Sequence, residues 1–245
     1  MVTKHQVKYI QSLNEKKFRT QEGLFVAEGP KIINELLTAR EVEPVELYAT
    51  QAWWVQHEPL KNNLPFVLFH ELSEQELGRI SFLTTPNQVL GIFKQPGWGN
   101  VAFNGLTLVL DGIQDPGNFG TILRIADWFG IEQIVASVDS ADVFNPKVVQ
   151  STMGSLARVR VFYRDLQLLL AEHPQVPVYA CTLQGKPLAE TGKLKEGMLL
   201  IGNESKGIRK ELIDASHYQL TIPRIGRAES LNAAVATGIV LSHLV

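Results

Sequence analysis

The fold is decided by the stretch Leu106-Thr107-Leu108-Val109-Leu110-Asp111-Gly112-Ile113-Gln114-Asp115-Pro116-Gly117-Asn118-Phe119-Gly120-Thr121-Ile122-Leu123-Arg124. Residues 106–110 form a short apolar run, the pattern of a strand buried on both faces. Gly112, Pro116 and Gly117 follow at once and predict a tight loop with exposed backbone N–H groups. Over residues 118–129, Phe119, Ile122, Leu123, Ala126 and Phe129 recur on one helical stripe. Asn118 is placed to cap that helix. Arg124, nearly two turns on, is expected on roughly the same side as Asn118. The pair suits a phosphate or a ribose, although a capped helix with a surface arginine has the same sequence.

Downstream, the alternation of strand and helix continues. Residues 134–138, 176–182, 198–202 and 218–222 read as strands. Residues 145–154 and 166–171 read as helical, and Leu231, Ala234, Val235, Gly238 and Ile239 give a closing helix. Strands separated by helices imply βαβ units, so residues 105–245 are expected to form an α/β domain around a mainly parallel sheet. Ligands of such sheets bind beyond the carboxyl ends of the strands.

Two further strand ends carry polar residues. One is Ile201-Gly202-Asn203-Glu204-Ser205-Lys206-Gly207, a glycine-bounded turn with one carboxylate. The other is Ile222-Pro223-Arg224, followed by Ser230-Leu231-Asn232 at a helix start, with Ser230 as the expected cap. The Gly202–Gly207 spacing is that of a phosphate-binding loop, but Ile208 and Arg209 stand where such a loop needs Lys and then Ser or Thr. No G-x-G-x-x-G follows a strand, which leaves a dinucleotide enzyme unsupported. There is no G-x-S-x-G elbow and no H-E-x-x-H, and the six histidines are scattered.

Upstream, Gln95-Pro96-Gly97-Trp98-Gly99-Asn100 marks a linker, taken as residues 96–104. Residues 1–95 read as a smaller α/β domain. Gly29-Pro30 opens a helix bearing Ile32, Ile33, Leu36 and Leu37, and residues 45–49, 65–69 and 88–93 read as strands. Ser73-Glu74-Gln75-Glu76 is a capping box. Lys4, Lys8, Lys16, Lys17 and Arg19 are opposed only by Glu15 in the first twenty residues. That cluster is either a solvated helix face or a nucleic-acid contact.

Composition bounds the rest. The 245 residues are 45% hydrophobic and 20% charged, with a net charge of −2, which excludes a disordered chain and a binder working by bulk positive charge. Cys181 is the only cysteine, so an internal disulfide and a cysteine-rich zinc site are excluded. It falls in an expected buried strand and reads as a core residue rather than a nucleophile. No apolar run has the length of a membrane span, and the first residues lack a signal-peptide pattern, so a cytoplasmic location is expected.

The three strand ends, in this order, resemble the three signature motifs of the SpoU (TrmH-like) RNA 2′-O-ribose methyltransferases of the SPOUT class. The motifs are residues 110–124, residues 200–207, and residues 220–223 with 230–236. Lys16-Lys17-Phe18-Arg19 and Gly23-Leu24-Phe25-Val26-Ala27-Glu28-Gly29 look like the substrate-binding domain often fused to that family. The resemblance implies a trefoil knot, a homodimer and S-adenosylmethionine as cofactor. By similarity, the cofactor meets Thr182, Leu183, Gly202, Ile222 and Leu231. Asn118, Arg124 and Glu204 face the target ribose, with Arg124 supplied across the dimer, and Ser230 and Asn232 shape the same pocket. Lys16, Lys17 and Arg19 are the expected RNA contacts, with Arg158, Arg160 and Arg164 as a weaker second set. The substrate implied is transfer or ribosomal RNA. The competing readings are a catalytically silent RNA-binding protein of the same fold, a small-molecule methyltransferase, and a nucleotide-binding α/β enzyme.

Overall fold

The structure, a computed structural model, describes residues 1–39 and 41–245. The chain divides into two compact units. The first comprises Met1–Gly97 with Asp142–Ala157, and the second Trp98–Ala141 with Arg158–Val245. The domain division expected from sequence placed residues 142–157 with the C-terminal block. By contact they group with the N-terminal unit.

The first unit contains α1 (Lys4–Ser12), α2 (Lys16–Glu22), β1 (Leu24–Glu28), α3 (Pro30–Thr38), β2 (Pro44–Thr50), α4 (Gln51–Gln56), α5 (Leu60–Asn63), β3 (Leu68–Leu72), α6 (Glu74–Ile80) and β4 (Val89–Lys94). Its sheet has the order β1-β4-β2-β3. β4 runs antiparallel to both β1 and β2, while β2 and β3 are parallel. The strand expected at 65–69 begins only at Leu68, because its parallel register on β2 starts at Glu46↔Leu68. The Ser73 capping box is formed, with Ser73 and Glu76 exchanging hydrogen bonds.

Arg19 decides how this unit is held. It is 1% exposed. Its Nη1 donates to the carbonyl oxygens of Leu13 (2.9 Å) and Asn14 (2.7 Å), and its Nε and Nη2 donate to Asp142 Oδ2 at 3.1 and 2.5 Å. Phe144 packs its ring 5.1 Å from Phe25, which in turn stacks on Phe93 at 5.6 Å. A buried ion pair and an aromatic cluster thus hold the segment 142–157, which carries a helix of its own (Pro146–Thr152, capped by Asn145).

The second unit is built on β5 (Leu106–Asp111), α7 (Pro116–Trp128), β6 (Gln133–Ser137), β7 (Arg160–Arg164), α9 (Leu166–Glu172), β8 (Val178–Pro187), β9 (Gly197–Gly202), α10 (Lys210–Asp214), β10 (Tyr218–Thr221) and α11 (Ala233–Leu244), with the Pro146–Thr152 helix counted as α8. Its sheet has the order β10-β8-β9-β5-β6-β7 and every pairing in it is parallel. β5 is buried at every position, as a strand covered on both faces must be. From β5 the chain steps outward to β6 and β7, then returns to the other side for β8, β9 and β10. The reversal between β5 and β9 is a topological switch point, where such sheets bind their ligands.

β7, missed in the sequence, is an edge strand whose short apolar centre lies between two arginines. β8 is longer than expected. Its register on β10 jumps from Ala180 (opposite Gln219) to Lys186 (opposite Leu220), so the intervening residues of β8 loop out of register. Among the described residues no helix is long and apolar enough to cross a membrane.

Candidate active site

The carboxyl ends of β5 and β9 are fastened to each other before any catalytic side chain is placed. Asp111, the last residue of β5, is 2% exposed. It accepts from the Arg209 backbone N–H and from Arg209 Nε, both at 2.7 Å, and pairs with Nη2 at 2.5 Å. The Asp111 carboxylate pushes the Arg209 guanidinium still further up from its already high pKa. Asn203 Nδ2 donates to the carbonyl of Gly112 at 2.7 Å. The Ser137 hydroxyl accepts from Gly112 N–H at 2.9 Å, and its hydrogen bond to Asp139 holds that carboxyl below the usual range.

Beyond β9 the turn closes on itself. Asn203 and Gly207 exchange backbone hydrogen bonds of 3.1 and 2.8 Å, and Asn203 Oδ1 accepts from the N–H groups of Ser205 and Lys206. Gly207 turns the chain at φ +69°, a conformation glycine adopts without strain. A Cβ on Gly202 would lie 2.3 Å from the backbone of Gly207 and Ile208. Gly202→Ala is therefore expected to spread this turn, at about 1–3 kcal/mol of overpacking. The family resemblance puts S-adenosylmethionine against Gly202, and its affinity, read by calorimetry, should fall by about 5- to 160-fold if that energy comes off binding. Unchanged affinity would place the cofactor elsewhere.

On this frame three side chains from the three motifs meet. Asn118, on the first turn of α7, donates from Nδ2 to Glu204 Oε1 at 2.5 Å. Asn232 Nδ2 donates to Asn118 Oδ1 at 2.8 Å. Asn118 is thus the hub of a chain running Asn232, Asn118, Glu204, which joins the loops that follow β5, β9 and β10. Asn232 Oδ1 also caps α11 by accepting from Ala234 and Val235 N–H at 3.0 and 3.2 Å.

Several expectations need correction. The cap of α7 is Asp115, whose carboxylate accepts from Asn118 N–H at 2.7 Å; this frees the Asn118 side chain for Glu204. The cap of α11 is Asn232, because the helix starts at Ala233, and Ser230 is an exposed loop residue two positions too early to serve it. Arg124 does not share the side of Asn118: six residues at about 100° each place it about 120° round the helix. It is exposed and makes no hydrogen bond or ion pair among the described residues. Arg19 is buried with its donors occupied and is not an RNA-facing side chain, whereas Lys16 and Lys17 on α2 are exposed. Arg158 is bound in bidentate fashion to Asp127 and Arg160 lies 3.7 Å from Glu132, so that set is largely neutralised.

The cofactor residues inferred by similarity fall on neighbouring strands. Thr182 and Leu183 sit in the out-of-register bulge of β8, Gly202 ends β9, Ile222 follows β10, and Leu231 precedes α11. Leu183, Ile225, Leu231 and Val235 are apolar side chains left exposed around these ends. Residues 223–231 make no backbone–backbone hydrogen bond among the described residues. Apolar faces beside free backbone donors and acceptors fit an adenine-bearing cofactor. Cys181 is half-buried as a residue, yet burial pushes its thiol up to about 12, so it is no nucleophile at neutral pH. The sequence reading quotes Asp111, Asn203 and Arg209 but assigns them no framing role. The one available signal was a carboxylate ending an otherwise apolar strand.

Both parts of the chain match known protein families. Residues 105–242 match the SpoU rRNA Methylase family, and residues 4–91 match the MRM3-like substrate binding domain. The chain is 31% identical to the 23S rRNA (guanosine(2553)-2′-O)-methyltransferase RlmP of Bacillus subtilis (strain 168), over 97% of this chain and 95% of that one. Among solved structures, a TrmH-family protein from Porphyromonas gingivalis superposes with a TM-score of 0.86 at 38% identity, covering 99% of this chain and 98% of that one. The AdoMet-bound rRNA methyltransferase from Sinorhizobium meliloti gives 0.87 at 30% identity, covering 99% and 95%.

Proposed function

Because the chain belongs to the SpoU rRNA methylase family and is an S-adenosylmethionine-dependent RNA 2′-O-ribose methyltransferase, we propose that its target is ribosomal RNA and that Asn118, Arg124, Glu204, Ser230 and Asn232 form its reaction centre. The observation that carries the second part is the hydrogen-bonded chain Asn232–Asn118–Glu204 at the switch point of the sheet. The first part rests on the RNA named for the Bacillus subtilis relative, whose guanosine is the first nucleoside to test. The catalytically silent alternative is set aside by a cofactor-bound relative of this fold at 30% identity.

When bound, S-adenosylmethionine supplies a methyl group made electrophilic by the sulfonium charge. Thr182, Leu183, Gly202, Ile222 and Leu231 would hold it. Asn118 orients the Glu204 carboxylate, which would take the 2′-hydroxyl proton through a water as the methyl passes from sulfur to that oxygen and leaves a neutral thioether behind. Arg124 stays a cation, grips the adjacent phosphate and stabilises negative charge developing on the oxygen. Alignment of oxygen and methyl carbon by these fixed side chains contributes several kcal/mol by itself.

Arg124 points away from Asn118 in its own chain, so it reaches the centre from a second copy. We therefore take the protein to be a homodimer. Trp128, one turn after Arg124, and Val235 of α11 are both more than half exposed, as an uncovered contact face would leave them. The close crossing at Gly185, where a Cβ would lie 2.7 Å from the Gln219 backbone, is compatible with the threaded segment of a trefoil knot. A chain with one cysteine and no candidate membrane helix among the described residues supports a cytoplasmic location.

Methyl transfer from labelled S-adenosylmethionine into unmodified ribosomal and transfer RNA, with nucleoside analysis, tests the reading. Label is expected in a 2′-O-methyl nucleoside of ribosomal RNA. Label confined to transfer RNA would refute the substrate assignment. Lys16 and Lys17 are the proposed RNA contacts of the first unit. Their double reversal to Glu is expected to flatten the salt dependence of RNA binding by about 0.7 per lost phosphate contact, leaving cofactor affinity unchanged. An unaltered slope would mean these lysines face solvent only.

A further inference from the structure

The edge strand β10 carries a concavity that the methyl-transfer centre does not use. Its volume is about 490 Å³, and Tyr179, Lys186, Lys193, His217, Tyr218 and Gln219 are among its lining residues. Tyr218 stands directly opposite Tyr179 in the parallel register of β10 on β8, and the two rings stack at 5.0 Å and 17°. Tyr179 is partly covered, whereas Tyr218 is 54% exposed, so the pair offers a flat aromatic surface to solvent.

The polar groups around this surface are mostly donors. His217 Nδ1 accepts the Val178 N–H at 3.1 Å, which puts the proton of the neutral ring on Nε2 as an available donor. Lys193 Nζ donates to the main-chain oxygen of Val245 at 2.7 Å. Lys186 is exposed and makes no hydrogen bond or ion pair among the described residues. No carboxylate is among the lining residues. Among the described residues Lys186 is the unpaired cation beside the tyrosine pair, with the neutral His217 ring as a further donor, while Glu196 is the one carboxylate felt at Tyr179.

A flat aromatic face suits any nucleobase, and neighbouring ammonium groups suit the phosphates on either side of it. We infer that this concavity binds an unpaired nucleotide of the RNA substrate away from the methylated ribose. The base stacks on Tyr218, and Lys186 and Lys193 draw the flanking phosphates. The same looped-out stretch of β8 that carries Thr182 and Leu183 ends at Lys186. A strand seated on Tyr218 therefore has a short path to the cofactor loops. The inference rests on the RNA methyltransferase reading and adds a second point of substrate contact to it.

The test is fluorescence anisotropy of a labelled single-stranded oligouridylate with the full-length protein, run beside S-adenosylmethionine titration. Tyr218→Ala is expected to weaken RNA binding about tenfold, and Tyr218→Phe to keep it, since the ring rather than the hydroxyl makes the stack. Lys186→Glu should weaken binding and flatten its salt dependence by about one phosphate contact. Cofactor affinity should stay unchanged in all three, which separates this surface from the reaction centre. Full RNA affinity in Tyr218→Ala and Lys186→Glu would overturn the inference. So would duplex RNA that binds as well as single strands with the same sensitivity to Tyr218, because paired bases present no free face. A wild type that binds cofactor but not oligouridylate overturns it too, since a stacking platform tolerates any base. A wild type that binds neither would instead bring down the methyltransferase reading beneath it.

Discussion

Replacing Arg124 by alanine is expected to lower the rate of methyl transfer by about 10²–10³-fold, the usual effect of deleting one donor aimed at developing negative charge. S-adenosylmethionine should still bind, because none of the proposed cofactor contacts involves this side chain. Stability should change by no more than about 0.5 kcal/mol, as for an exposed residue without partners. Single-turnover transfer, calorimetric cofactor titration and thermal unfolding read the three quantities separately. A rate within tenfold of wild type would remove Arg124 from the reaction centre.

The same variant addresses where the arginine comes from. If it arrives from a second subunit, mixing Arg124→Ala with Glu204→Ala chains builds heterodimers in which one site is whole and the other lacks both groups. Random pairing of a two-fold dimer then restores roughly a quarter of the wild-type sites. No recovery would mean that both residues act within one chain, against the outward direction of Arg124 on α7. Arg124→Lys separates charge from geometry. A lysine keeps the cation but loses the planar fork that holds a phosphate at two points. Recovery of most of the rate without weaker RNA binding would reduce the role of Arg124 to charge alone. Its acting as the base is disfavoured in any case, since a guanidinium is almost never neutral at pH 7.

Periodicity was informative where a segment is buried on a consistent face. The run at 106–110 and the stripe Phe119, Ile122, Leu123, Ala126 appear in the structure as β5 and the inner face of α7. Edge elements were less legible: β7 has two buried apolar residues between arginines, too few to show a period. Caps were misassigned by two or three residues at both motif helices. Several capping residue types stand in a row there, and only the hydrogen bonds of Asp115 and Asn232 distinguish the cap from its neighbours. The frame of the site was invisible for a different reason. Asp111 and Arg209 lie far apart in sequence, and a carboxylate ending an apolar strand calls for a partner without naming which. Arg19 shows the limit of reading charge from composition, since a basic cluster does not reveal which of its members points inward.

That inward arginine carries the second large effect. Arg19→Ala is expected to destabilise the first unit by about 3–5 kcal/mol, the range for removing one partner of a buried ion pair. The loss exceeds that of a surface salt bridge for two reasons. Asp142, with its side chain only 15% exposed, would keep a charge without its counter-ion. The carbonyls of Leu13 and Asn14 would lose the guanidinium donors that now satisfy them. The effect should be local. Hydrogen exchange should quicken by roughly a hundredfold or more in β1 and across residues 142–157, which this ion pair holds together. The double variant Arg19→Leu with Asp142→Leu should recover part of the stability, because no buried charge is then left unpaired. RNA binding discriminates the structural role from the one expected of the basic cluster. At a temperature where both proteins are folded, Arg19→Lys should leave the salt dependence of RNA affinity unchanged, and the Lys16 and Lys17 reversals should not. If exchange in 142–157 were unaffected by Arg19→Ala while RNA affinity fell, the guanidinium would have to turn outward in solution, and the ion pair with Asp142 would not be what holds that segment.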